Sequence, residues 1–192
     1  MIRLLAAPLA LLLLADQALA GAGWELEKDV DAPSYAMAEP TSTDLNIDTV
    51  VLSCEQGADR RGLQLRLFLT DAGRLAPRGK VALRDDPIVE IAIDGVRHPA
   101  ELFFSDDSVL VADSADGPVP MLSKRLIDAL QRGKKLELRF ALTEQPGGQT
   151  PVFDSSAIVD LQTGRGGAAV ATVRRCVDGK TPEVAESPLR TN

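Results

Sequence analysis

The sequence predicts a mainly β domain of the α+β class, an antiparallel β-sandwich or barrel with one or two helices and one disulfide. Three observations support this prediction. Several segments alternate apolar and polar residues with a period of two. Short loops rich in Gly, Pro and Asp separate these segments, as in all-β domains. Two cysteines, Cys54 and Cys176, are the only ones in the chain.

The clearest alternation occurs in four segments, which begin at Val50, Leu63, Val89 and Leu136. Each places apolar side chains on one face and mostly polar ones on the other, so each is expected to form a strand with one buried face. The third segment runs into Asp94-Gly95, a pair typical of a tight turn. Shorter candidate strands span residues 24–30, 80–84, 100–104, 109–113 and 157–161.

One helix is predicted between Pro120 and Gly133, because proline favours the first helical turn and glycine favours the end. Leu122, Leu126 and Leu130 are four residues apart and form one apolar stripe. A second, weaker helix is expected over residues 167–175. Its β-branched valines leave a strand as the alternative there.

The first twenty residues have the three-part pattern of a secretory signal peptide. Arg3 supplies the positive start, Leu4–Leu14 the apolar core, and Ala18-Leu19-Ala20 the small-residue exit. A core of about eleven residues is shorter than the roughly twenty that span a bilayer, so we expect cleavage after Ala20. The remaining chain divides into a single β-rich domain (21–177) and a flexible C-terminal tail (178–192).

Secretion changes the interpretation of the cysteines. Outside the reducing cytosol an even pair is expected to form a disulfide, so we predict a Cys54–Cys176 bridge. A redox pair is the alternative, but the C-x-x-C spacing that tunes a reactive thiol is absent.

The net charge of −7 argues against binding to nucleic acid or to anionic lipid, because both require a concentrated basic face. The basic pairs Arg60-Arg61, Lys134-Lys135 and Arg174-Arg175 are interpreted as solvated ends of strands or helices. No second apolar segment approaches membrane length, so no stable membrane insertion is expected after cleavage.

His98 is the only histidine, which excludes a metal site that needs two histidines. A serine hydrolase would have to use His98 as its base, yet no Gly-x-Ser-x-Gly motif accompanies it. Because His98 lies between the Asp94-Gly95 turn and Pro99, we expect it to be an exposed loop residue.

Two further motifs are interpreted as loops. Residues 164–169 match G-x-G-x-x-A, but no βαβ unit follows, so a turn is favoured over a dinucleotide site. Asp106, Asp107, Asp113 and Asp116 do not fit the register of an EF-hand loop, although a looser calcium site is left as an alternative. A glycosidase needs two carboxylates at a defined separation. Asp85-Asp86 could contribute to such a pair, but nothing in the sequence sets that separation.

The order of features resembles that of a bacterial family. Trp24 near the mature start, a strand ending at Cys54, the Ile93-Asp94-Gly95 turn, a helix ending at Gly133 and a terminal Cys176 follow one another. This arrangement resembles the periplasmic proteins related to invasion-associated locus B and the similar small periplasmic accessory proteins of type VI secretion. The resemblance implies a β-rich periplasmic domain with no established catalytic residues.

We therefore expect a non-enzymatic periplasmic or secreted protein that binds or assembles with another protein of the cell envelope, without cofactor, metal or catalytic residues. Its binding surface is expected at a sheet edge or in the loops around Asp85, His98 and Asp106, because loops carry most recognition. The alternatives are an envelope hydrolase that uses His98 and a single-domain protein that binds a small ligand or calcium.

Overall fold

The computed structural model describes residues 23–27, 35–57, 60–71, 73–75, 87–105, 108–114, 119–143, 150–163 and 166–178. The predicted signal peptide, the candidate strand 80–84, Asp85, Asp106 and the tail beyond Asp178 lie outside these residues. The elements in chain order are β1 (Glu25–Glu27), β2 (Tyr35–Ala38), β3 (Ser42–Thr43), β4 (Ile47–Gln56), β5 (Arg61–Leu69), β6 (Ile88–Ile93), β7 (Val96–Phe104), β8 (Ser108–Ala112), α1 (Lys124–Arg132), β9 (Lys135–Ala141), β10 (Ser155–Asp160) and α2 (Gly166–Arg174).

The described strands form one antiparallel sheet in the order β1-β2-β4-β5-β8-β7-β6-β9-β10-β3. Strand β7 divides it, because residues 96–100 pair with β6 and residues 101–104 pair with β8. We call β1, β2, β4, β5 and β8 the first half-sheet, and β6, β9, β10 and β3 the second. The sheet does not close, since β1 and β3 each pair on one side among the described residues. The predicted mainly β, antiparallel class is confirmed.

A single apolar core lies between the two half-sheets and the helices. The alternation seen in the sequence places its residues: Leu52 of β4 is directly opposite Leu65 of β5, which is opposite Val111 of β8. The second half-sheet contributes Ile91 opposite Leu138. All five side chains are at most 1% exposed, so the predicted buried faces of these strands are confirmed.

Helix α1 confirms the helix predicted before Gly133, although it begins at Lys124, not near Pro120. The reason is a cap: the Ser123 hydroxyl accepts a hydrogen bond from the Leu126 N–H at 3.2 Å, and Ser123 has extended backbone angles. Helix α2 also confirms the helical prediction, and the alternative strand is wrong. Its Val170 and Val173 lie one turn apart and are both buried in the core.

The expectation that His98 lies in an exposed loop is wrong. The Asp94-Gly95 turn takes only two residues, with φ of 49° and 82° as a tight hairpin turn requires. Strand β7 therefore starts at Val96, and His98 pairs with Ile91 on the core face, where it is 5% exposed. Pro99, which favours a loop in the sequence, lies within this strand.

The predicted disulfide is confirmed. Cys54 in β4 is bonded to Cys176, two residues beyond the end of α2. The bridge fixes the end of α2 against the first half-sheet, which α2 also contacts through β1, β2 and β4. None of the helices in the described part of the chain has the length and apolar character needed to cross a membrane.

Candidate functional site

A groove of about 460 Å³ lies on the first half-sheet, on the face that points away from the core. We call it the outer groove. Its apolar lining comes from Tyr35 and Met37 of β2, Val51 of β4 and Phe68 of β5. Among its described lining residues, Arg66 of β5 is the only cation. A concave, mostly apolar surface with a few polar groups is typical of a ligand-binding site.

The strand register explains why these side chains meet. Val51 is directly opposite Met37 on one side and Arg66 on the other. Because paired residues of antiparallel strands point to the same face, all three lie in one row across the sheet. Arg66 is in turn opposite Leu110 of β8, which continues the row. Arg66 therefore has an apolar residue on each side of it in this row.

Arg66 has no acidic partner in the described structure. Its only side-chain hydrogen bond runs from Nη2 to Gln64 Oε1 and is long, at 3.5 Å. Its Nε is buried and has no acceptor. The two carboxylates of the groove bind elsewhere, since Asp48 accepts from Thr49 at 3.0 Å and Glu55 accepts from Ser53 at 3.1 Å.

The other half-buried arginines of the described chain are all paired with a carboxylate. Arg74 lies 3.1 Å from Asp154, Arg139 lies 2.7 Å from Glu90, and Arg174 lies 2.6 Å from Asp128. This is the usual arrangement, because a half-buried charge is costly unless it is paired. Arg66 is the exception, and its unpaired donors are suited to an external carboxylate, which an arginine fork binds with two parallel bonds.

A second concave surface, of about 250 Å³, lies between the start of β5, the segment that leads into α1 and the end of α2. We call it the basic cleft, because Arg60, Arg61, Lys124 and Arg174 line it. The Leu122 N–H donates to the Leu63 carbonyl at 2.8 Å, which holds the α1 segment beside β5.

Of the predicted binding-loop residues, only His98 lies within the described part of the chain. Asp85 and Asp106 are outside the described residues, and His98 lies on the core face and lines neither the outer groove nor the basic cleft. No described hydrogen-bond partner reaches Nε2 of His98. Asp113, one of the acidic residues considered for calcium, accepts hydrogen bonds from the N–H and hydroxyl of Ser123 at 2.6 and 2.5 Å.

Within the described part of the chain, no three His, Cys, Asp or Glu side chains are grouped closely enough to hold a metal ion.

The sequence does not single out Arg66, because a charged residue on the outer face of a strand is ordinary. The only sequence signal is its position between Gln64 and Phe68 on that face.

No protein-family model, curated protein or solved structure matches this chain.

Proposed function

We propose that this chain is a non-enzymatic binding protein of the bacterial cell envelope, and that its outer groove holds a carboxylate-bearing segment of another envelope protein. The unpaired guanidinium of Arg66 is the observation that carries the proposal. A carboxylate in the groove would accept hydrogen bonds from the terminal amino groups of Arg66, and charge-assisted bonds of this kind are stronger than neutral ones.

The charges around the groove limit which chemical groups the bound segment of the partner can carry. Asp48 and Glu55 also line it, and the chain carries a net charge of −7. A strongly acidic segment would be repelled by these groups. A segment with one carboxylate, flanked by apolar side chains that pack on Met37, Val51 and Phe68, fits the groove. Its volume lies within the roughly 300–1,000 Å³ of ligand-binding clefts.

The location outside the cytoplasm is part of the proposal. It rests on the signal-peptide pattern of residues 1–20 and on the Cys54–Cys176 bridge, since disulfides persist in oxidising compartments. The resemblance to periplasmic proteins related to invasion-associated locus B agrees with this location. The hydrolase alternative stays a prediction, and no described contact of His98 favours it.

Site-specific photo-crosslinking in the bacterium that makes the protein tests the proposal. A photoreactive residue at position 37 lies in the groove, and one at position 125, an exposed position of α1, is the matched control. We expect an envelope protein to crosslink from position 37 and not from position 125. Arg66→Gln should abolish this crosslink, whereas Arg97→Gln, which removes an exposed arginine, should not.

The crosslinked segment then supplies a synthetic peptide for fluorescence polarisation. The peptide with its carboxylate should bind the wild type roughly 10- to 100-fold more tightly than the peptide with the corresponding amide, as expected for a charge-assisted bond. The Arg66→Gln variant should not distinguish the two peptides. Equal binding of both peptides to the wild type, or a crosslink that persists in Arg66→Gln, would contradict the proposal.

A further inference from the structure

We propose a second site: the basic cleft binds a small phosphoryl compound that carries at least two negative charges, such as a phosphate monoester or a pyrophosphate. This site is distinct from the outer groove, because the two share none of their lining residues.

The fold gathers cations that are far apart in the sequence. Arg60 and Arg61 come from the hairpin between β4 and β5, Lys124 from the first turn of α1 and Arg174 from the last turn of α2. The Cys54–Cys176 bridge fixes the end of α2 beside this hairpin. Charges that look separate and solvated in the sequence, those of Arg60, Arg61 and Arg174, therefore line one cleft with Lys124.

The described carboxylates near the cleft offset these charges only in part. Lys124 and Arg174 share a single carboxylate, that of Asp128, at 2.9 and 2.6 Å. These two cations hold the pKa of Asp128 below its usual value, through hydrogen bonds from Lys124 and then from Arg174. Asp178 also lines the cleft.

Arg60 and Arg61 have no carboxylate within 4.0 Å in the described structure, and Arg61 makes only a 3.4 Å hydrogen bond to Gln56. Among the described residues, the four cations that line the cleft thus outnumber the three carboxylates near it, those of Asp113, Asp128 and Asp178. An excess of positive charge in a concave surface raises the local concentration of anions.

The type of cation favours a phosphoryl group, because arginine forks match the geometry of phosphate oxygens. The apolar side chains of Met121, Ile127 and Val177 also line the cleft. The peptide N–H of Ser123 is already bound to Asp113, so binding relies on the side chains and not on the start of α1. The volume of about 250 Å³ and the net charge of −7 favour a small ligand over a nucleic acid or a lipid surface.

Isothermal titration of the full chain with pyrophosphate at constant ionic strength tests the site. We expect binding to the wild type and an affinity at least tenfold weaker for the double variant Arg60→Gln/Arg61→Gln. The control Arg125→Gln/Arg175→Gln removes the same charge from exposed positions outside the cleft and should bind as the wild type does. Thermal unfolding of each variant verifies that it is folded.

Three results would overturn the proposal. The first is no pyrophosphate binding by the folded wild type. The second is equal weakening in the two double variants, which would indicate only the general charge of the protein. The third is sedimentation with phosphatidylglycerol vesicles, lost in Arg60→Gln/Arg61→Gln, without binding of free pyrophosphate. That outcome would assign the cleft to a membrane headgroup.

Discussion

Cys54, inside the long strand β4, is covalently joined to Cys176, just beyond the end of α2, with their Cα atoms 6.3 Å apart. The two residues are separated by 122 positions in the sequence. One bond therefore connects the first half-sheet to the last described helix, and it lies beside the residues that form the basic cleft. Solution measurements can test this bond and four side chains, those of Ser123, Asp154, His98 and Arg66.

Replacing both bridged cysteines, as Cys54→Ala/Cys176→Ala, should lower the free energy of unfolding by roughly 4–5 kcal/mol, because the unfolded chain regains the entropy of a long open loop. Urea unfolding with and without dithiothreitol measures this effect. Reductant should destabilise the wild type and leave the double variant unchanged. A wild type whose midpoint is insensitive to reductant would show that the bridge is not formed in solution.

Ser123→Ala should cost about 1 kcal/mol of stability, because the hydroxyl caps the start of α1 and donates to Asp113. Ser123→Thr keeps an equivalent hydroxyl and should recover most of the loss. Chemical denaturation of the wild type and the two variants measures their free energies of unfolding. If Ser123→Thr is as unstable as Ser123→Ala, the hydroxyl is not the cause.

The carboxylate of Asp154 should make stability depend on pH. Burial on its own raises the pKa of Asp154, but hydrogen bonds from the Thr143 hydroxyl and the Leu142 N–H, together with the Arg74 guanidinium, outweigh it and lower the pKa. Because the folded pKa lies below the unfolded value of about 3.9, the ionised group stabilises the fold above about pH 4, and this contribution is lost as pH falls through the folded pKa.

Asp154→Asn should therefore lose about 1–3 kcal/mol at pH 7. The difference from the wild type should shrink at pH 3, because the carboxyl of the unfolded chain, with a pKa of about 3.9, is largely protonated there. The urea midpoints of both proteins at the two pH values measure this difference in stability. A difference that is the same at both values would mean that the charge of Asp154 contributes nothing.

His98→Leu should leave the stability unchanged or raise it. The imidazole is 5% exposed on the core face and its Nε2 has no described partner, so an apolar side chain removes an unmet polar group. His98→Ala should instead lose roughly 1–3 kcal/mol through the cavity that it leaves. Thermal and urea unfolding distinguish the two. If His98→Leu were as unstable as His98→Ala, Nε2 would have a partner in solution.

Arg66→Met should fold at least as stably as the wild type while it loses partner binding. The substitution removes a buried Nε that has no acceptor and keeps the apolar contact area of the side chain. Arg139→Met is the matched comparison, because it leaves Glu90, whose side chain is 17% exposed, without its 2.7 Å partner. We expect only Arg139→Met to be destabilised, by about 1–3 kcal/mol. Equal destabilisation of both would show that Arg66 has a structural role.

Much of the fold could be predicted because its signals are local. The alternation from Leu63 onwards is enough to identify strand β5 and its buried face, and the leucine stripe before Gly133 identifies α1. Strands β2 and β3 were missed, because four and two residues are too short to show a period. The loop predicted at His98 is wrong because Pro99, an ordinary loop signal, lies inside a strand here.

The mainly β class, the two helices and the disulfide follow from local features of the sequence, namely periodicity, capping residues and a single cysteine pair. Which polar groups are left without partners depends instead on tertiary contacts. Arg66 and Arg139 look alike in sequence, and only the folded sheet shows that Glu90 faces Arg139 and that no described carboxylate faces Arg66. Likewise, Arg60 and Arg174 share a cleft only because the sheet and the bridge bring distant segments together. Pairing of charges depends on distances of a few ångströms between segments far apart in the chain, and no local pattern encodes those distances.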